Sequence, residues 1–481
     1  MHPDTIEARP AWSDLIGVGL LGGLVAYTLY RLTFVLQYHW DWSPIPRYIL
    51  RWDAGAIKSL FHAQTLIQIA RWVADPQMHL LLDGHHPPAG SHHQKVVVID
   101  DDVAFCGGID MTARRWDTRA HTDADPRRVG PDGQPYDPWH DASTLLQGPV
   151  AVALGDMCRT RWQVAGGGEI APVTGGGDCW PAHVEPDFTD VDLGIALTVP
   201  EMADQEPRHD IEALYVDLIA RARRWCYAES QYFASRKVAE AIAARLAEAD
   251  GPEFVIVHPV SAQGWLEPVA MDSARARLFE ALRDRDIHGR LRLYHPFTAG
   301  GQPIYVHAKV MVIDDDVLRV GSSNLNNRSL RLDTECDVVI DAQAPGNAHA
   351  RDTIAGIRNA LLAEHLGSDC ETMAATIART GSIIEAIEQL RGGGRSLRPY
   401  EVPDLDSVQA WLADNKILDP EGPGEMFEAL SRRKPLLGRL RPHLARKDGQ
   451  ASPLGKAVAA GAALAGGAML GALAARWRKR P

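Results

Sequence analysis

Cysteine is sparse and unpatterned in this chain. Six residues, Cys106, Cys158, Cys179, Cys226, Cys336 and Cys370, lie scattered over 481 positions. They show neither metal-ligand spacing nor the density of a disulfide framework, which fits a reducing cytosol. Cys106, Cys226 and Cys336 fall in expected strands and read as buried thiols. An excess of positive charge is also missing: 50 Lys and Arg stand against 62 Asp and Glu, a formal net charge of −12. That argues against nucleic-acid binding by the surface as a whole, while leaving room for a small cationic pocket. No charge-free run is both long and strongly apolar. Residues 15–30 are uncharged but short of the ~20 needed to span a bilayer; with Arg31 snorkelling the stretch extends to Leu36, and it reads either as a membrane segment or as a buried helix of the first lobe. Residues 457–475 are uncharged but rich in Ala and Gly, with Lys456 before them and a basic end after. They read as a marginal membrane helix with a small-residue face at Gly467 and Gly471, with a surface-lying or disordered tail as the alternative. The stretch 432–447, with seven Lys or Arg and no acid, reads as a solvated face or a grip on anionic lipid.

What the chain does contain is one phrase written twice. Residues 93–110 read HQKVVVIDDDVAFCGGID and residues 307–324 read HAKVMVIDDDVLRVGSSN, with ten identities and no gap. Each copy follows H-x-K-x4-D and ends in a glycine corner. The apolar runs after His93-x-Lys95 and His307-x-Lys309 read as buried strands. Side chains alternate on a strand, so His and Lys two apart share a face. Asp100 and Asp314 enter the turns that follow. Each copy is half a site. Two copies facing each other give two imidazoles and two ammonium groups, which suits a phosphate diester: the lysines offset its charge and the histidines make and break its bonds.

These motifs resemble the phospholipase D superfamily, whose signature is the paired H-x-K-x4-D. The resemblance extends over residues 46–365. Arg115-Trp116-Asp117 is similar to the "GRWD" segment of phosphatidylcholine-type members, Pro138-Trp139-His140-Asp141 to "PWHD", residues 227–233 to "YIENQYF", Asn326-Asn327-Arg328-Ser329 to "NDRS" and Asp333-Thr334-Glu335 to "DSE". It implies a lipid phosphodiesterase, with phosphatidyl transfer of the cardiolipin-synthase kind, a nuclease of the same superfamily and an inactive membrane-attached homologue as alternatives. Tyr48 to Asp53 resembles a late strand of the first lobe, so that lobe reads as short of an edge strand and its covering helix.

The expected architecture is α/β: two similar lobes, each a mixed β-sheet flanked by helices, then a helical and irregular tail. The boundaries fall at an atypical apolar segment over 1–45, a first lobe over 46–165, a crossover over 166–206, a second lobe over 207–368, a tail over 369–455 and an apolar segment with a basic end over 456–481. The polar loop 114–138 should rim the pocket.

By the resemblance, His93 is the nucleophile and His307 the acid and base. Lys95 and Lys309 hold the non-bridging oxygens with Asn324 and Ser322. Asp100 and Asp314 complete the two motifs and read as turn braces. Asp110 stands where the second copy has Asn324. Asp117 and Glu335, 24 and 28 residues after their motif histidines, are candidates to orient an imidazole, with the pairing left open. His140 reads as a supporting residue. The scattered histidines, His85 and His86 among them, show no ligand spacing, so neither metal nor cofactor is expected. The expected partners are a phospholipid and a membrane surface, with no nucleic acid. The expected catalytic unit is a monomer, membrane-associated with its lobes in the cytoplasm.

Overall fold

The computed structural model describes residues 47–403 apart from 53–74, 76, 88–89, 174–178 and 263–270. The apolar stretches 15–30 and 457–475 and the basic stretch 432–447 lie outside the described residues. Among the described residues no helix is long and apolar enough to cross a membrane.

The chain divides into two compact units at Gly84 and His85. The first contributes a parallel pair, β1 (Arg47–Trp52) and β2 (Met78–Asp83). Both copies of the motif belong to the second unit.

In the first copy, β3 (Val96–Ile99) and β4 (Val103–Gly107) form an antiparallel hairpin with Val96 opposite Cys106. Its turn places Asp100 and Asp101 at φ 52° and 55°. Asp tolerates this left-handed region better than most residues. The chain then runs through the polar loop to a short β5 (Trp139–His140), and β6 (Ser143–Gln147) pairs with β4. Helix α1 (Pro149–Val164) follows, opened by a proline at its first turn.

The second copy repeats this plan inside a larger sheet. In chain order come β7 (Leu193–Val199), β8 (Arg208–His209), α2 (Asp210–Arg221), β9 (Trp225–Glu229), α3 (Arg236–Leu246), β10 (Glu253–Val257), α4 (Ser273–Arg283), β11 (Leu291–Phe297) and β12 (Tyr305–Val306). The motif hairpin β13 (Val310–Ile313) and β14 (Val317–Gly321) comes next, then α5 (Asn327–Arg331), β15 (Glu335–Asp341), α6 (Arg351–Leu366), α7 (Cys370–Thr380), α8 (Ile383–Leu390) and β16 (Ser396–Pro399). The sheet order is β16-β11-β10-β9-β13-β14-β15-β7-β8. The β11-β10-β9 part is parallel and the rest antiparallel, a mixed sheet.

Helices cover this sheet because their apolar residues recur on one face. In α3, Val238, Ala239, Ile242, Ala243 and Leu246 are buried, and Ser235 caps the first turn by accepting from the Val238 N–H. The α2 and α3 side shares a core with Phe254, Ile256 and Met311. The opposite face packs against the first copy: Ala104 and Cys106 join Val310, Val320 and Cys336 in one core. Cys106 and Cys336 lie with their sulfurs 3.7 Å apart, both buried and unpaired.

Four elements packed with this lobe lie outside the span 207–368. Strand β7 sits within the segment expected as crossover and pairs with β15. Residues of the expected tail also build the lobe: α7 and α8 bury Met373, Ile377, Ile383 and Ile387, and β16 pairs with β11.

Candidate active site

The two copies meet through a reciprocal exchange. The His93 N–H donates to the Thr334 carbonyl at 3.0 Å, and the His307 N–H to the His140 carbonyl at 2.7 Å. The next residue in each case is an acid that takes the imidazole. Glu335 accepts from His93 Nδ1 at 2.9 Å, and Asp141 accepts from His307 Nδ1 at 2.8 Å. Each acid therefore serves the histidine of the opposite copy. With Nδ1–H so engaged, each ring presents Nε2 for chemistry.

The two acids are equivalent by register. Gly321 of β14 faces Asp337, and Glu335 lies two residues earlier. Gly107 of β4 faces Ser143, and Asp141 lies two residues earlier. Glycine is needed at these corners. A Cβ on Gly321 would come within 2.0 Å of the Asp337 carboxylate, and one on Gly108 within 2.4 Å of Asp141 and 3.1 Å of the His307 carbonyl.

The carboxylates are themselves fixed. Glu335 is fully buried and accepts from the hydroxyls of Ser322 at 2.5 Å and Ser329 at 2.7 Å. Asp141 accepts from the Ala142 N–H at 2.9 Å and the Trp139 indole N–H at 3.4 Å. The Trp139 ring lies 5.2 Å from that of His307, and the Arg115 guanidinium stacks 4.1 Å above Trp139.

The lysines converge on the same spot. Lys95 Nζ donates to the His93 carbonyl at 2.7 Å, and Lys309 Nζ donates to the His307 carbonyl and to Gln231 Oε1. Asp110 joins the copies, 3.3 Å from Lys95 Nζ and 3.8 Å from His307 Nε2. Burial works to raise the Asp110 pKa, but Lys95, His307 and His93 hold it well below the usual carboxylate range. Burial, reinforced by Lys309, pushes His307 down to about 4. Burial and the Lys95 charge bring Lys309 down to about 7, against the pull of Asp141. These shifts are what crowding like charges out of water produces.

Several expectations need correction. Asp117 orients neither motif histidine: its carboxylate accepts from His121, Arg128 and the backbone of Thr118 and Trp139. The motif aspartates complete the paired motifs without joining the reacting groups: Asp314, read as a turn brace, accepts from the N–H groups of Arg223, Arg224 and Trp225 at the far end of β13, and Asp100 lies in the matching turn. Ser322 is spent on Glu335. Asn324 is buried with its N–H donating to Ser329, and its side-chain oxygen accepts from Ser230 at 3.5 Å. Asp110 is an anion and repels a phosphate, so it acts as the counter-ion of Lys95 and His307 rather than as a phosphate ligand. Asp141, Trp139, Arg115 and Gln231 were not assigned to the site from sequence, although each lies in or beside a recognised segment. His140 supports the site through its carbonyl.

A cavity of about 1950 Å³ adjoins the site. Arg115, Trp139 and Asp141 line its polar part; Val310, Val320, Val338 and Ile357 line an apolar part. The loop 114–138 contributes to its wall as expected.

The chain is similar to several known proteins. Residues 215–354 match the family model described as "Cardiolipin synthase, PLD-like domain". Phospholipase D alpha 1 of Carica papaya is 26% identical over an alignment covering 55% of this chain and 46% of that protein, and the one of Nicotiana tabacum is 25% identical, covering 56% and 47%. The chain thus spans about half the length of the curated relatives it matches. Among solved structures, phosphatidylserine synthase of Haemophilus influenzae is 14% identical with a TM-score of 0.41, covering 83% of this chain and 89% of that one. Nuc of Salmonella typhimurium, a phospholipase D family member, is 17% identical with a TM-score of 0.22, covering 31% and 82%. On the paired motifs, the family-model match and the curated relatives, the chain belongs to the phospholipase D superfamily.

Proposed function

We propose that this protein cleaves the head-group phosphodiester of a glycerophospholipid to phosphatidic acid through a phosphohistidine on His93. The observation that carries the reading is the reciprocal pairing of each motif histidine with the opposite copy's acid around one cationic spot. A phosphodiester entering there displaces Asp110 from Lys95 and His307 and brings its own negative charge. That charge offsets Lys309 and makes protonation of His307 easier. His93 Nε2 then attacks phosphorus while the bond to the head-group oxygen breaks, and His307 gives that oxygen its proton. Glu335 stabilises the positive ring of His93. In the second step His307 takes a proton from water, the oxygen of that water bonds to phosphorus, and the P–N bond breaks. Lys95 and Lys309 stabilise the charge on the non-bridging oxygens in both steps.

The apolar part of the cavity supports a substrate with acyl chains, and such a substrate lies in a bilayer, so the enzyme would work at a membrane surface. The acidic balance of the chain weighs against a nuclease, and two complete His, Lys and acid sets weigh against an inactive homologue. Phosphatidyl transfer to an alcohol shares the same intermediate, and the cardiolipin synthase description of the matching model favours it as the second reading.

The test is product analysis from mixed phospholipid vesicles, with and without a primary alcohol, beside an oligonucleotide. Phosphatidic acid alone supports hydrolysis, and a phosphatidyl-alcohol as main product supports transfer. Cleaved oligonucleotide, or no product, overturns the lipid reading.

A further inference from the structure

A second constellation of ionisable groups lies beside the reaction centre and is not used by the chemistry above. His121 of the polar loop, His140 of β5 and Glu364 of α6 are all buried. His121 Nε2 lies 3.1 Å and His140 Nδ1 2.9 Å from the same Glu364 oxygen. The three candidate ligand atoms lie within 4.8 Å of one another.

The far side of each ring decides what these atoms are. His121 Nδ1 faces Asp117 at 3.0 Å, and Asp117 is held by Arg128 and two backbone N–H groups. His140 Nε2 faces Glu229 at 2.7 Å, and Glu229 is held by Tyr227 and His365. A neutral imidazole has one N–H, and a carboxylate claims it. The remaining ring nitrogens, with Glu364, are then three acceptors pointed at one another. With both rings neutral a cation between them joins the three; with a ring doubly protonated its second N–H does so instead.

We propose that this protein binds a transition-metal dication of the zinc class through His121 Nε2, His140 Nδ1 and Glu364. Two nitrogens and one carboxylate oxygen suit zinc better than magnesium or calcium, which prefer all-oxygen sites. Each ligating ring donates its other N–H to a buried carboxylate, the arrangement that fixes the tautomer in metal sites. The neighbouring group of His140, Glu229 and His365 lacks this support, since His365 Nδ1 has no partner. The cavity supplies an entry path and a fourth position, because His121, His140 and Glu364 line its wall. The ion would tie the loop and β5 of the first lobe to α6 of the second. Through β5 it would hold the His140 carbonyl and Asp141 against His307. Its role would be structural, so its binding is separable from the phosphodiesterase reading.

The experiment uses the full chain, stripped by a chelator and reloaded with Zn²⁺, with bound metal counted by elemental analysis after gel filtration. One Zn²⁺ per chain is expected. His121→Ala and Glu364→Gln should lose it, while the His93→Ala, His307→Ala double variant should keep it. Cobalt reloading of the unaltered chain needs no substitution and so does not depend on a variant folding: the strong visible absorption of four-coordinate Co²⁺ is expected. No retained Zn²⁺, which would mean that protons alone fill the gap, overturns the proposal. So does retention unchanged in both ligand variants, loss in the His93 and His307 variant instead, or the weak spectrum of six-coordinate Co²⁺.

Discussion

The two lobes carry the same phrase in different surroundings. In both, the motif hairpin is followed by a third strand with an acid at its head, Asp141 two residues before β6 and Glu335 as the first residue of β15, and then by a helix of sixteen residues. Around the second hairpin the sheet continues on both sides, with β9 bonded to β13 and β7 to β15. Around the first, among the described residues, the sheet stops at β3, β4 and β6. The consequence is electrostatic. All four residues of β13 are buried, whereas those of β3 are half-buried or exposed. The Lys309 side chain is fully buried and the Lys95 side chain 12% exposed; His307 is 6% exposed and His93 25%. Identical residue types thus face different dielectric surroundings. Sequence symmetry does not carry over into chemical symmetry, which leaves the two histidines free to take separate roles.

The sharpest way to break this comparison is to remove the histidines in turn. If His93 is the nucleophile as proposed, His93→Ala should lose turnover by on the order of 10⁴-fold or more. His307→Ala should be similarly slow on a natural lipid. With an activated ester whose leaving group needs no proton, His307→Ala should still accumulate a phosphoryl adduct and stall. Intact-mass spectrometry at neutral or mildly alkaline pH reads the adduct. An adduct on the His93→Ala protein instead would exchange the two roles.

The acids come next in size. Glu335→Gln and Asp141→Asn keep the shape but lose the charge that favours the correct tautomer, and each should lower kcat by on the order of 10²- to 10⁴-fold. If the exchange between copies governs the chemistry, Glu335→Gln slows adduct formation and Asp141→Asn slows adduct breakdown, as rapid-quench kinetics would separate. The opposite assignment would mean that each acid serves its own copy in solution.

The lysines test burial. Lys95→Met and Lys309→Met should each cost on the order of a hundredfold in turnover. Their effects on stability should differ. Lys309 has its folded pKa lowered to about 7 from 10.5, so the unfolded chain binds more protons between those values. Burying this residue therefore penalises the fold fully below pH 7, and the penalty fades as pH rises toward 10.5. Lys309→Met should raise the melting temperature at pH 7 and flatten its rise with pH over that window, as differential scanning fluorimetry would show. An unchanged pH profile would mean that Lys309 is not held in this buried state.

Much of this was legible in the sequence, because the informative residues are neighbours in it. His-x-Lys places two groups on one strand face, and the duplication announces a shared site. The strands and helices of the second lobe also follow their apolar periodicity. The pairing of the acids was not legible. Glu335 follows His307 at a short interval, and Asp117 follows His93 at nearly the same interval, so spacing favours Asp117. The polar loop 114–138 is an insertion that pushes the register equivalent out to Asp141. Only strand pairing reveals this, since a loop may lengthen at little cost in closure entropy. The cluster of His121, His140 and Glu364 was hidden for the same reason, its members coming from a loop, a strand and a helix far apart in the chain.

The smallest effects should come from the motif aspartates, and they sharpen the comparison at its structural end. Asp314 and Asp100 share φ 52° and the same place in the phrase. The Asp314 carboxylate, though, accepts from three backbone N–H groups at the start of β9, a strand with no counterpart beside β3 among the described residues. Removing it leaves the buried Trp225 N–H and two part-buried N–H groups without their acceptor, at about 1–3 kcal/mol. Asp100 has no such strand to hold, so its removal should cost under about 1 kcal/mol, in line with most partly exposed positions. Asp314→Ala should therefore lower the urea midpoint clearly and Asp100→Ala only slightly, with kcat per folded molecule close to that of the unaltered chain in both. Equal losses of stability would mean that β3 has a bracing partner of its own. A large loss of kcat in the folded Asp314→Ala protein would put that carboxylate back among the reacting groups, against the length of β13 that separates it from His307.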